Sequence, residues 1–221
     1  MESIKRKVNL NIFMMAVVLA ALLFLSGILV GDYLAYKKLD EIKTSQKVIG
    51  SLFDLFILKT ANINKQNVSY CDLKWEDVWK EKVEIGEILS RLETRLGKND
   101  EKVMEQKDTY NKIQIKILNI TEETKAHCDY NWNIILFFYT NNKNDPRGDY
   151  QLSEQQGYVL DTIYNVHNEK VRIFTFDMSS KNNITDYLTG TYNISSLPHL
   201  VINGKSYGGF MNRNEIEKAL Q

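Results

Sequence analysis

Nineteen consecutive residues, 12–30, are all apolar or small and carry no charge, and nothing else restricts the chain so tightly. A helix rises about 1.5 Å per residue, so this run nearly spans a hydrocarbon core of roughly 30 Å. It reads as one membrane helix over residues 12–31, and everything after it lies on one side. Lys5, Arg6 and Lys7 precede it against Glu2 alone, whereas Lys37, Lys38 and Lys43 behind it are interleaved with Asp32, Asp40 and Glu41. Each flank holds three basic residues, but the N-terminal cluster is tighter. The positive-inside bias then places residues 1–11 in the cytoplasm as a short tail and the rest of the chain outside. A cleaved signal peptide is the competing reading. Its apolar region is ordinarily about 7–15 residues and ends in a small-x-small site, whereas this run is longer and has no clear site before Asp32.

Composition excludes several classes. The 28 basic and 28 acidic residues cancel. The sequence has no basic patch interleaved with aromatics, no Gly-rich phosphate loop and no clustered histidines, so neither nucleic acid, a cofactor nor a metal is expected. At 43% hydrophobic, 221 residues suffice for one globular core and a helical stalk. Four Asn-x-Ser/Thr sequons, at Asn67, Asn119, Asn183 and Asn193, would suit an exported domain. Their number is close to what so Asn-rich a chain yields by chance, so they do not locate the protein.

Residues 32–128 have helical periodicity. Leu39, Ile42, Gln46, Ile49, Phe53 and Phe56 follow steps of three and four and extend the membrane helix into a stalk to about residue 60. A second helix over 73–96 repeats the spacing at Trp75, Val78, Lys82, Ile85, Leu89, Leu92 and Leu96, and Gly97 ends it. Asn99 caps a third, striped by Val103, Gln106, Tyr110, Ile113, Ile117 and Ile120. The last two fold back as an antiparallel hairpin, and the stalk completes a three-helix coil. A coiled coil that binds a partner is the functional alternative to internal packing.

The hairpin gives the only two cysteines a geometry. Cys71 lies 27 residues before Lys98 and Cys128 lies 30 after it, so they meet near the open end, within about one helical turn of each other. A disulfide there would staple the hairpin, stabilising it by on the order of 4 kcal/mol in the chain-entropy model. Such a bond fits an oxidising compartment. A redox-active pair and two free thiols are the alternatives.

From residue 129 to 221 the pattern changes to mixed α/β. Residues 134–140, IILFFYT, form a continuous apolar run that suits a central strand. After a polar loop over 141–152, Ser153 and Gln156 make a capping box that opens a helix through Val159, Leu160 and Ile163. A strand over 171–176 follows, then a helical segment near 184–188. Leu197-Pro198 introduces a strand over 199–202, Asn203-Gly204 is a hairpin turn, and 205–210 returns. Asn212 or Asn214 caps a closing helix over 215–220.

This β-α-β-α-β-β-α order, with Leu197-Pro198 directly before the hairpin and Gly208-Gly209-Phe210 before the last helix, resembles the thioredoxin-like family over residues 131–221. The resemblance implies a cis Leu197–Pro198 bond and a surface where an extended client pairs beside it by strand addition. That surface comprises Leu197, Pro198 and His199 with the loop over 141–153, and Tyr150 adds aromatic contact, whereas Tyr139 reads as core rather than contact. Redox-active members carry Cys-x-x-Cys where the first strand's loop meets its helix, but here that junction reads Gln151-Leu152-Ser153-Glu154. The resemblance therefore implies a membrane-anchored binding, chaperone-like or scaffold module outside the cytoplasm, with a polypeptide or a membrane protein complex as partner. Two rivals stay open. One is a membrane-tethered thiol-disulfide oxidoreductase using Cys71 and Cys128. The other is an accessory subunit similar to the thioredoxin-like subunits of oligosaccharyltransferases, which usually have several spans and often a Cys-x-x-Cys.

Overall fold

A computed structural model describes residues 10–65, 70–167, 170–179 and 183–221. The chain divides into two compact units, Met1–Val48 and Ile49–Gln221. Helix α1 (Leu10–Lys65) begins in the first unit and ends in the second. The two prolines lie at Pro146 and Pro198, so none interrupts it. Its segment Asn11–Ala35 is long and apolar enough to cross a membrane, and side chains such as Leu23 and Phe24 stand exposed along it. The span read over residues 12–31 falls within this segment. Lys5, Arg6, Lys7 and Asn67 lie outside the described residues. Of the stalk seam, Ile49 is buried, and the side chains of Leu39, Ile42, Gln46, Phe53 and Phe56 lie outside those described.

In the second unit, a 3-10 turn (Tyr70–Asp72) precedes α2 (Trp75–Leu96) and α3 (Glu101–His127). There follow β1 (Asn133–Tyr139), α4 (Tyr150–His167), β2 (Val171–Asp177), α5 (Asn183–Tyr192), β3 (His199–Ile202), β4 (Lys205–Gly208) and α6 (Arg213–Ala219). Among the described residues the strands form one mixed sheet in the order β2-β1-β3-β4, with β1 parallel to β2 and antiparallel to β3. One face carries Ile135, Phe137, Ile173, Leu200 and Ile202 into a core with Leu160 and Ile163 of α4 and Ile216 of α6. On the other, Trp79 of α2 meets Phe174 edge-on at 5.6 Å, and Tyr192 of α5 lies 5.4 Å from Phe138. Burial on both faces is why β1 reads as an unbroken apolar run rather than an alternating one.

The elements follow the sequence with corrections at their ends. Gly97, at φ +101°, ends α2, and Asp100 N–H donates to the Gly97 carbonyl, which moves the cap of α3 from Asn99 to Asp100. Asp100 Oδ1 accepts from Lys102 N. Helix α4 starts at Tyr150, earlier than Ser153, because Asp149 Oδ1 accepts from Gln151 N (2.6 Å) and Leu152 N (3.1 Å). Ser153 and Gln156 turn inward instead of capping. Ser153 Oγ accepts from Thr140 N, and the Gln156 amide pairs with both polar groups of the Met211 backbone. Asn203 and Gly204 both have positive φ, 48° and 82°, as a two-residue hairpin turn requires. Strand β4 stops at Gly208 because Gly209, at φ +87°, directs its N–H back to the Pro198 carbonyl. Asn212 caps α6 in a reciprocal box with Glu215.

The outer edge of β2 is closed by side chains from the helical hairpin. The Gln114 amide, fully buried on α3, donates to Thr175 O and accepts from Thr175 N. Lys82 Nζ of α2 donates to Ile173 O. An unpaired strand edge invites association, and here the hairpin covers it.

Candidate functional site

The surface expected to receive a client lies at the C-terminal end of β1. The Leu197–Pro198 bond is cis. Leu197 and His199 are 3% and 4% exposed, and Pro198 is buried beside them. Leu197 N–H donates to the Arg147 carbonyl (2.9 Å), and Asp149 N–H donates to the Leu197 carbonyl (3.2 Å). Both backbone groups that strand addition would use at Leu197 are therefore taken by the chain's own loop. Gly148 lies between the two donor-acceptor pairs, and a Cβ there would collide with the Leu197 carbonyl.

The loop is tightly built. Arg147 grips Asp145 with two bonds, Nε to Oδ1 and Nη2 to Oδ2, each 3.0 Å, and Nη2 also donates to Met178 O. Burial alone would raise the Asp145 carboxyl, but these hydrogen bonds, one from Thr140 and the guanidinium charge hold it below the usual range. Thr140 Oγ1, Asn142 Oδ1 and Asp145 Oδ1 each accept a nearby backbone N–H.

Among the other residues singled out, His199 packs edge-on to Phe138, and its Nε2 lies 2.6 Å from Ser206 Oγ. Burial lowers its pKa, which favours the uncharged ring. Tyr150 is half-buried at the start of α4, with the ammonium groups of Lys143 and Lys98 5.6 and 5.9 Å from its ring centre. Tyr139 stacks on Phe137, and burial, then the charges of Asp177 and Glu93 and the nearby Tyr110, raise its phenol well above the ordinary value.

Beside this loop stands a buried polar cluster that the sequence pattern did not disclose. Lys107 Nζ contacts Asp177 Oδ2 (2.6 Å), Glu93 Oε1 (2.7 Å) and the Lys98 carbonyl (2.9 Å). Asn141 Nδ2 and Ser179 N also donate to Asp177. A lysine with three acceptors and an aspartate with three donors tie the tip of the hairpin to the end of β2. The one sequence signal was Lys107 itself, adjacent to the stripe position Gln106.

The cysteines lie at the other end of β1. Cys71 and Cys128 form a disulfide with Cα atoms 5.6 Å apart, and Cys128 precedes the first residue of β1 by five positions. At this end a cleft of about 1130 Å³ opens between the start of α2, the end of α3 and the starts of β1 and β2. A smaller recess of about 460 Å³ shares Lys125 and Asn203 with it and is floored by Ile134, Leu136 and Val201. Burial and the neighbouring Glu123 raise the Glu122 carboxyl in this recess. Burial, then Glu122 and Tyr187, push the Tyr192 phenol up to about 12. Among the described residues no three His, Cys, Asp or Glu side chains converge as metal ligands. Neither a scan against protein-family models nor a search of curated proteins returns a match for this chain.

Proposed function

We propose that this protein is a membrane-anchored, thioredoxin-like module outside the cytoplasm that carries out no disulfide exchange and holds an extended polypeptide segment or a membrane-protein partner. The strand order and the cis Leu197–Pro198 bond support the thioredoxin-like reading. Lys5, Arg6 and Lys7 before the span, together with a disulfide behind it, support the orientation.

The observation that carries the absence of exchange chemistry is the location of the cysteines. The chain's two cysteines are linked to each other just before β1. The cis proline adjoins the far end of that seven-residue strand. At about 3.3 Å per residue, some 20 Å of strand lies between the two ends. The β1–α4 junction offers Asp149, Tyr150, Gln151 and Leu152, none of which is a thiol.

The mode of partner binding follows from the edges. Lys82 and Gln114 cover β2, and Arg147 and Asp149 occupy Leu197, whereas β4 is largely exposed. In a two-residue hairpin the Ser206 N–H and C=O point away from β3. A partner strand adds there and runs toward Pro198, because Gly208 at the end of β4 pairs with His199.

The test uses the full chain in lipid nanodiscs, alkylated with and without graded dithiothreitol, weighed intact, and assayed for insulin reduction. The expected result is no free thiol, reduction only at high dithiothreitol or after unfolding, and no catalysis. Ready exchange under mild reduction, with insulin turnover abolished by Cys71→Ala, would replace this reading with a tethered oxidoreductase.

A further inference from the structure

We propose that the smaller recess, between the end of α3, the end of α5 and the β3–β4 turn, is a binding site for a free α-amino acid with an apolar side chain. At about 460 Å³ it has the size of a small-ligand pocket. Its floor is the sheet itself, through Ile134 and Leu136 of β1 and Val201 of β3. These side chains share the face that carries Phe138 and His199, because Leu136 pairs with Val201 two positions from the Phe138–His199 pair. Ala126 and Gly204, the short residues of the wall, leave the space above that floor unfilled.

The polar groups of the wall are complementary and uncommitted. Glu122 and Lys125 stand three positions apart on α3, and Tyr192 ends α5. A carboxylate and an ammonium at that spacing can pair with each other. Among the described residues, however, the side chains of Glu122 and Lys125 make no ion pair or hydrogen bond, and the Tyr192 hydroxyl makes no hydrogen bond. The amide of Asn203, which also lines the recess, is by contrast occupied by Ile134 N and Asn133 Oδ1.

These groups define the occupant. An ammonium is favoured beside Glu122, whose carboxylate is disfavoured by burial and then by Glu123. A carboxylate is favoured beside Lys125, with the Tyr192 phenol, kept protonated by burial and then by Glu122 and Tyr187, as a second donor. The two charged groups of an α-amino acid are one carbon apart, which suits wall residues whose Cβ atoms lie about 5–6 Å apart. The apolar side chain then covers Ile134, Leu136 and Val201. None of this depends on the thioredoxin-like reading or on a polypeptide partner.

The test titrates L-leucine and L-phenylalanine into the full chain in uncharged detergent micelles and follows the methyl resonances of Ile134, Leu136 and Val201. Shifts that saturate in the millimolar range or below are expected with at least one of the two. Leucinamide, which lacks the carboxylate, N-acetylleucine, which lacks the ammonium, and glycine, which lacks the side chain, are each expected to bind about tenfold more weakly than leucine. Glu122→Gln is expected to weaken leucine about tenfold and to leave N-acetylleucine unaltered, and Lys125→Met to weaken leucine equally and to leave leucinamide unaltered. Glu105→Gln, an exposed change near the other end of α3, is expected to change nothing. No saturable shift with either amino acid, equal binding of leucine and its two blocked forms, or an equal loss with Glu105→Gln overturns the proposal.

Discussion

Lys82 occupies a position in α2 whose neighbours along the stripe are Val78, Ile85 and Leu89, and it is 7% exposed. Its ammonium lies 4.6 Å from the Trp79 ring centre and 5.4 Å from that of Phe174, and it donates to Ile173 O. Burial, and secondarily the charge of Arg172, lower its pKa to about 7 from the ordinary 10.5. Between those values the unfolded chain binds more protons than the folded one, so stability must rise with pH across that window. Below about pH 7 the cost of the buried charge is fully present, and it is relieved as pH climbs. At the steepest point the gain approaches about 1.4 kcal/mol per pH unit. Burial raises the phenols of Tyr110 and Tyr139, which reverses the trend once unfolded tyrosines ionise near pH 10. Urea midpoints of the full chain in neutral detergent are therefore expected to increase from pH 7 to about pH 9. Lys82→Met, which keeps the stem and removes the charge, is expected to flatten that rise. An equal rise in the variant would assign it to another group.

At the scale of elements, the join between the helical hairpin and the sheet rests on a few side chains that substitute for a missing strand. The Gln114 amide serves Thr175 as a neighbouring peptide group would, through one donor and one acceptor. Gln114→Leu fits the volume and leaves both half-buried Thr175 groups unpaired, at about 1–3 kcal/mol each. The expected loss is about 2–6 kcal/mol in urea unfolding, with faster amide exchange concentrated at Thr175. Unchanged exchange at Thr175 would show that the edge is held some other way. This join also marks where the sequence stops being legible. Stripe positions such as Ile85, Leu89 and Ile113 declared both helices, and the apolar run from Ile134 declared β1, because each signal is local. Lys82 looks from sequence like a polar interruption of its stripe and Gln114 like a polar neighbour of Ile113, and only their hydrogen bonds to β2 give them work. The same limit misplaced the start of α4. Ser153 and Gln156 have capping-box spacing, but their partners, Thr140 and Met211, are 13 and 55 residues away. The candidate surface was legible as residues and not as a surface. Leu197, Pro198 and His199 were identified from the pattern around the hairpin, yet nothing local announces that Arg147 and Asp149 pair with Leu197.

At the scale of the molecule, the disulfide joins segments that the sheet alone would leave free. It links the turn before α2 to the residue that ends α3, across a separation of 57 positions. Both helices already pack on the sheet, through Trp79 on Phe174 and through Gln114 and Lys107 on β2. The bond therefore does not determine the fold; it limits how far the unfolded chain can expand. For a loop of this length the chain-entropy model gives on the order of 4 kcal/mol, and measured effects are often smaller. Cys71 is exposed and Cys128 half-buried, so replacement by serine introduces no deeply buried hydroxyl. The Cys71→Ser, Cys128→Ser double variant is expected to keep the native far- and near-ultraviolet dichroism and to unfold about 2–4 kcal/mol more easily. Reduction of the natural chain without denaturant should produce the same decrement and no further change in the variant. If reduction instead abolishes the near-ultraviolet signal of Trp75, Trp79 and Trp132, the staple is holding the packing of α2 and not only the span of its unfolded loop.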